Sequence, residues 1–237
     1  DLHKAIRRQR QMCIRDRVGE IIRSDESRRY VVPSAPGKRH SGDTKVTDLL
    51  YKCYGQAILD DDREEDFEEI LKVIKDRYDS IINGLELTIS LGDEFKTIRE
   101  NFSKKIGRDY AASRGEYLNG IIMAAYLGYE FIDAAEVIFF DEEGEFDAEK
   151  TNEVLSERLA HTERAVIPGF YGSNPDGTIH TFSRGGSDIT GSIVARAVHA
   201  DMYENWTDVS GFLIADPRII KNPKAIDVIT YRELREL

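Results

Sequence analysis

Cysteine is scarce in this chain: only Cys13 and Cys53 occur, forty residues apart and without a CxxC partner. That argues against a disulfide framework and against a thiolate zinc site, and it fits a reducing, cytoplasmic setting. The histidines, at positions 3, 40, 161, 180 and 199, have no short metal-ligand spacing, so a histidine metal centre or a nucleophilic triad has no basis here. No segment approaches the roughly 18 apolar residues of a membrane span, and the charged N-terminus lacks the apolar core of a signal peptide. Basic residues are outnumbered, 33 against 44 acidic, for a net charge of -11. Such a balance repels nucleic acid and anionic membranes, so any phosphate-binding site must be a local basic pocket.

What is present is an ordinary globular composition, 41% apolar and 32% charged over 237 residues, enough for one large α/β domain or two small ones. Residues 1–17, DLHKAIRRQRQMCIRDR, are basic in an acidic protein and form no wide apolar stripe; they read as foreign to the fold. From Val18 the pattern is that of a helix end, followed by a short buried strand, Tyr30-Val31-Val32-Pro33, and a Ser-Ala-Pro-Gly-Lys turn. A domain opening on a helix tail is expected to lack its first strand. Thr230-Tyr231-Arg232-Glu233 has capping-box spacing and starts a helix that stops at Leu237, so the C-terminus is expected to fall inside an element.

Between the ends, helix and strand alternate without repeats. Phe67, Ile70, Leu71, Ile74, Tyr78, Ile81 and Ile82 follow helical spacing, with Asn83-Gly84 as the expected C-cap. The acidic run at 60–66 reads as a solvated helix N-terminus rather than a metal site. A second helix is expected over about Arg114 to Gly128, with Glu116 near its start. Arg164–Pro168 reads as a buried strand and Pro175-Asp176-Gly177 as a hairpin turn before Thr178–Phe182. A helix over Ser187–His199 and a strand over Tyr203–Thr207 complete the reading. This order predicts a sheet covered on both faces, with ligands outside the carboxyl ends of its strands.

The densest chemistry lies between Val166 and Arg218. Arg184-Gly185-Gly186-Ser187-Asp188 opens an amphipathic helix, so free N–H groups and the positive end of a helix dipole converge where an arginine can fork onto a carboxylate or phosphate. Ser34-Ala35-Pro36-Gly37-Lys38 and Gly42–Asp48 offer hydroxyls and lysines between a strand and a helix. Glu116 is suited to pair with a substrate ammonium or, alternatively, to serve only as a helix cap partner. The turns at Trp206–Val209 and Ala215–Arg218 are suited to cradle a nucleotide or simply to form turns.

Taken in order, SAPGK with GDTKVTDLL, SRGEYLNG, VIPGFYG, SRGGSDIT, NWTDVSGFLIADPR and ITYRELREL resemble the successive signatures of the aspartate kinases of the amino-acid kinase fold, from about Val18 to Leu237. The resemblance implies a three-layer α/β/α sandwich around a mostly parallel sheet, with 18–237 as the catalytic domain. It implies transfer of a phosphoryl group from ATP, with Mg²⁺, to the side-chain carboxylate of L-aspartate, and a homo-oligomeric intact protein. By similarity, Arg184 grips a carboxylate of aspartate and Asp188 helps to place its amino group. Gly185, Gly186 and Ser187 complete that turn, and Ser34, Thr47 and Glu116 line the same pocket. Thr207 and Asp208 match the nucleotide-contacting turn, and Arg218 a contact to the ATP phosphates. Leu213 stands where the family usually carries an aromatic residue. No protein ligand to a metal is implied. The family's Lys-Phe-Gly-Gly loop, whose lysine stabilises the transferring group, has no counterpart in residues 1–17. A ligand-binding protein without turnover, or another amino-acid kinase, is the alternative.

Overall fold

A computed structural model describes residues 18–59, 64–183, 185–206 and 219–221. The chain divides into two compact units, Asp1–Met202 and Tyr203–Leu237. In the first unit a helix over 18–23 (α1) leads into strand β1, Tyr30–Val31. Helices α2 (Val46–Ala57), α3 (Glu64–Gly84), α4 (Gly92–Ser103) and α5 (Arg108–Leu127) follow in succession. Then come β2 (Glu130–Phe131), α6 (Ala134–Val137), α7 (Ala148–Ala160), β3 (Ala165–Val166), the hairpin β4 (Tyr171–Ser173) with β5 (Ile179–Thr181), and α8 (Gly186–Ala197).

The strands β1, β3 and β2 form a parallel sheet in that order, Tyr30 and Glu130 both aligned with Ala165. The period-2 alternation of a strand explains why the sheet has helices on both faces. Val166 packs with Ile22, Ala124 and Leu127 of α1 and α5. Its neighbours Ala165 and Ile167 pack with Leu155 and Leu159 of α7 and Val194 and Ala197 of α8. The three-layer α/β/α arrangement with a mostly parallel sheet is therefore the one expected from sequence. A larger apolar core joins α2, α3, α4 and α5 around Leu50, Ile74, Tyr78, Ile98, Phe102 and Leu118.

Three expectations are corrected. Helix α3 runs through Gly84, and its chain reversal comes later: Leu87 N–H donates to Ile82 O at 3.1 Å around Glu86 at φ +54°. Helix α5 begins at Arg108 after Gly107, so Glu116 sits in its third turn rather than its first. Residues 203–206 are not in a strand; Tyr203 and Trp206 are 45% and 62% exposed, so their aromatic faces do not cover a sheet.

Candidate functional site

The carboxyl ends of β1 and β3 finish side by side, with Ile167 N–H donating to Val31 O at 3.0 Å and Gly169 N–H to Pro33 O at 3.1 Å. Two turns leave the sheet there, Ser34-Ala35-Pro36 after β1 and Pro168-Gly169-Phe170 after β3. Helix α5 crosses beneath both because it carries glycine at each contact. A Cβ at Gly115 would come within 2.9 Å of the Ala35 methyl, and one at Gly120 within 2.7 Å of the Pro168 ring. Any larger side chain would hold the helix away from the strand ends.

That close approach brings Glu116 to the first turn. Its Oε1 accepts the Ala35 N–H at 3.1 Å, while Asn119 Nδ2 donates to Ser34 O at 2.7 Å. Glu116 is 7% exposed, and its Oε2 is buried without a hydrogen-bond partner. Burial pushes its carboxyl up from 4.5 to about 7, against the smaller lowering effects of the Ala35 N–H and the nearby Arg114. A buried acceptor left without a donor costs free energy unless a ligand supplies one, and the donor that best suits a carboxylate is a cation.

The second turn leads to α8. Gly169 lies so close that a Cβ there would meet Ser187 Oγ at 2.6 Å, and one at Gly186 would meet Phe170 Cα at 2.8 Å. Phe170, at φ +84°, donates its N–H to Thr190 Oγ1 at 3.1 Å, locking the turn to the helix. Gly185, at φ +58°, enters α8 without a side-chain cap, and Asp188 lies in the first turn. The N-cap residue thus offers no side-chain acceptor to the first N–H groups of the helix. Thr47 is half-buried in the first turn of α2, next to Val46, which packs near Gly115.

Of the residues expected from sequence, Ser34, Glu116, Gly185, Gly186, Ser187 and Asp188 therefore lie on the turns and helices that meet at the strand ends. Thr47 lies on the adjoining helix. Arg184, Thr207, Asp208, Leu213 and Arg218 lie outside the described residues. Among the described residues, no group of three or more His, Cys, Asp or Glu side chains is placed to hold a metal ion. No helix among them is long and apolar enough to cross a membrane. A cavity of about 570 Å³ opens at the opposite end of the strands, lined by Tyr30, His161 and His199 among others, and contains none of the expected residues.

Sequence reasoning passed over Arg114, although it stands in the SRGE motif. It is 5% exposed, and its guanidinium bonds Ser113 Oγ at 2.9 and 3.2 Å. It lies over the rings of Tyr117 at 4.2 Å and Tyr110 at 4.4 Å, with Tyr171 at 5.5 Å. Tyr117 in turn donates to Glu94 Oε2 at 3.0 Å and Tyr171 to Asp133 Oδ1 at 2.7 Å. Burial raises the Tyr171 hydroxyl well above its ordinary range, so it remains a donor. A buried cation held by aromatic faces thus joins α5 to β4, the strand that follows the Phe170 turn.

These features, an α/β/α sandwich in which glycine turns and the start of a helix meet at the carboxyl ends of parallel strands, define an α/β domain. The chain belongs to the amino acid kinase family, whose model matches residues 10–237. Its relatives include aspartokinases. Aspartokinase 3 of Bacillus subtilis is 38% identical over 94% of this chain, and the aspartokinase of Rickettsia conorii 28% identical over 80%. The crystal structure of Clostridium acetobutylicum aspartate kinase is 52% identical and superposes on 94% of the chain with a TM-score of 0.86. Escherichia coli aspartokinase III, solved in complex with aspartate and ADP, is 26% identical and superposes on 90% with a TM-score of 0.73. The chain covers 51% of each of those two curated relatives, and 50% and 49% of the two solved chains.

Proposed function

We propose that this chain carries the aspartate-binding part of an aspartate kinase, which transfers the γ-phosphoryl group of ATP to the side-chain carboxylate of L-aspartate, yielding 4-phospho-L-aspartate and ADP. The observation that carries this reading is Glu116: a buried carboxylate with one unpartnered oxygen, placed at the strand ends beside the turn of Ser34. An amino acid substrate supplies the missing partner through its ammonium group, and its two carboxylates require the donors around it. In this reading Arg184 and the N–H groups at the start of α8 take one carboxylate. Ser34 and Thr47 border the pocket. Thr207, Asp208, Leu213 and Arg218 are assigned to the nucleotide. We further propose 18–237 as the catalytic domain, a cytoplasmic setting and homo-oligomeric assembly.

A carboxylate is already a competent nucleophile, so the chemistry asks for no general base. The protein's work is to hold two anions in line and neutralise the charge that develops between them. This fits a site built of N–H donors and arginine, without a catalytic histidine. Mg²⁺ supplies charge neutralisation through phosphate and water oxygens when the nucleotide binds, and no protein side chain is assigned to it.

The test is a turnover assay with hydroxylamine, which converts an acyl phosphate to a hydroxamate that forms a coloured complex with added Fe³⁺. Colour that requires L-aspartate, ATP and Mg²⁺ together supports the reading. Binding of aspartate and ATP without product assigns the chain to ligand binding instead. Turnover on glutamate or an acylated amino acid in preference to aspartate assigns it to another member of the family.

A further inference from the structure

The segment between Ser34 and Thr47 is held from a distance by one buried arginine. Arg77 lies on α3, the sequence-amphipathic helix, yet it is only 4% exposed, unusual for an arginine. Its Nη1 donates to Thr44 O at 2.8 Å, its Nη2 donates to Gly37 O, and Asp43 Oδ2 lies 3.2 Å from Nη2. Gly37 and Thr44 are the two feet of the excursion between β1 and α2, so one rigid fork closes it. The middle is tied to the same point. Asp43, its side chain 8% exposed, accepts the Arg39 backbone N–H at 2.8 Å and is bridged twice by the Arg39 guanidinium, at 2.9 and 3.0 Å. These bonds from Arg39 first, then the charge of Arg77, hold the Asp43 carboxyl well below the usual carboxylate range.

We propose that Arg77 is a positioning residue for the substrate pocket, acting through a clasp of Gly37, Asp43 and Thr44 that sets the separation of Ser34 and Thr47 opposite Glu116. The apolar side of α3 already anchors that helix through Phe67, Leu71, Ile74, Tyr78 and Ile81. Arg77 points instead at a polar loop that has no apolar anchor between Gly37 and Thr44. A planar fork suits two carbonyls and a carboxylate at once, whereas an ammonium is a point charge. The role in substrate binding rests on the aspartate reading above, whereas the clasp rests on the hydrogen bonds alone.

Lys38 and Arg39 sit exposed on the clasped loop and provide the readout. Limited trypsin digestion, with fragments identified by mass, is compared with calorimetric titration of L-aspartate and ATP for the wild type, Arg77→Gln, Arg77→Lys and Asp43→Asn. In Arg77→Gln we expect cleavage after Lys38 or Arg39 to accelerate at least about tenfold. Aspartate affinity is expected to fall about tenfold, with ATP affinity held within about twofold and partial recovery in Arg77→Lys. If Arg77→Gln does not fold, Arg77→Lys and Asp43→Asn carry the same comparison. Unchanged cleavage in the folded variants overturns the clasp. Faster cleavage with unchanged aspartate affinity overturns the positioning role. A wild type that binds no aspartate overturns the aspartate reading and the positioning role together, while the cleavage rates still decide whether the clasp exists.

Discussion

Glu116→Gln probes the chemistry of the pocket, because glutamine keeps an acceptor for the Ala35 N–H while removing the titration and replacing Oε2 with an amide donor. In the folded protein the Glu116 carboxyl is raised from 4.5 to about 7, chiefly by burial. The folded state therefore holds a proton that the unfolded chain releases, and stability must fall as pH rises between 4.5 and about 7. The displacement corresponds to about 3 kcal/mol, fully expressed above pH 7 and absent below the unfolded value. Urea unfolding of both proteins from pH 5 to 8 measures most of it: the stability difference should shift in favour of the glutamine variant by about 2.5 kcal/mol across the window, because part of the effect is already expressed at pH 5. Aspartate binding gives the complementary sign. A substrate ammonium at Oε2 favours the ionised form, so binding near pH 6 should release protons from the wild type that Glu116→Gln does not release. Calorimetry in buffers of different ionisation heat counts them. Parallel stability–pH curves, or identical proton release from both proteins, would refute the reasoning.

Three further outcomes follow from the packing. Gly172→Ala places a methyl 2.4 Å from the Ile138 carbonyl oxygen, a backbone atom with little room to yield. It should lower stability by about 1–3 kcal/mol in thermal unfolding; no loss would mean that β4 can shift. At Arg114, lysine should destabilise more than methionine in urea unfolding, because the site offers three rings and a hydroxyl rather than a carboxylate. The reverse order would show that charge, not stacking, is required. Cys53 is 0% exposed, and burial pushes its thiol up to about 12. In a Cys13→Ser background it should resist a disulfide reagent at pH 8 except at the rate of unfolding; fast native labelling would contradict its burial.

The parts of the fold announced by local chemistry were legible. The strand before Ser34, the strand before Gly169, the Pro175-Asp176-Gly177 hairpin and the Gly-Gly entry to α8 each carry their signal within a few residues. Helix α5 shows why the rest was harder. Its first turns, Tyr110 through Glu116, are buried on nearly every side, so no apolar stripe marks them. Ser113 and Glu116 have capping-box spacing and suggest a helix start, yet Ser113 Oγ donates back to Tyr110 O at 2.8 Å from inside the helix. That false start gave a buried carboxylate with one unpartnered oxygen the alternative reading of a cap partner. Arg77 is illegible for another reason. On α3 it reads as one more polar residue, and its burial depends on carbonyls and a carboxylate 33 to 40 residues earlier in the chain. Long-range closure of a polar loop leaves no local pattern, whereas the motif order pointed to the aspartokinases from which the relatives come.

Calorimetric titration of the chain with L-aspartate, repeated with Arg184→Ala and with L-glutamate, tests the proposed site most directly. One saturable aspartate site is expected, lost in Arg184→Ala because a charge-assisted bidentate contact contributes about 2–4 kcal/mol, and with no comparable binding of glutamate. Absence of aspartate binding by the wild-type chain, or an affinity that Arg184→Ala leaves unchanged, would contradict the assignment of this pocket to aspartate.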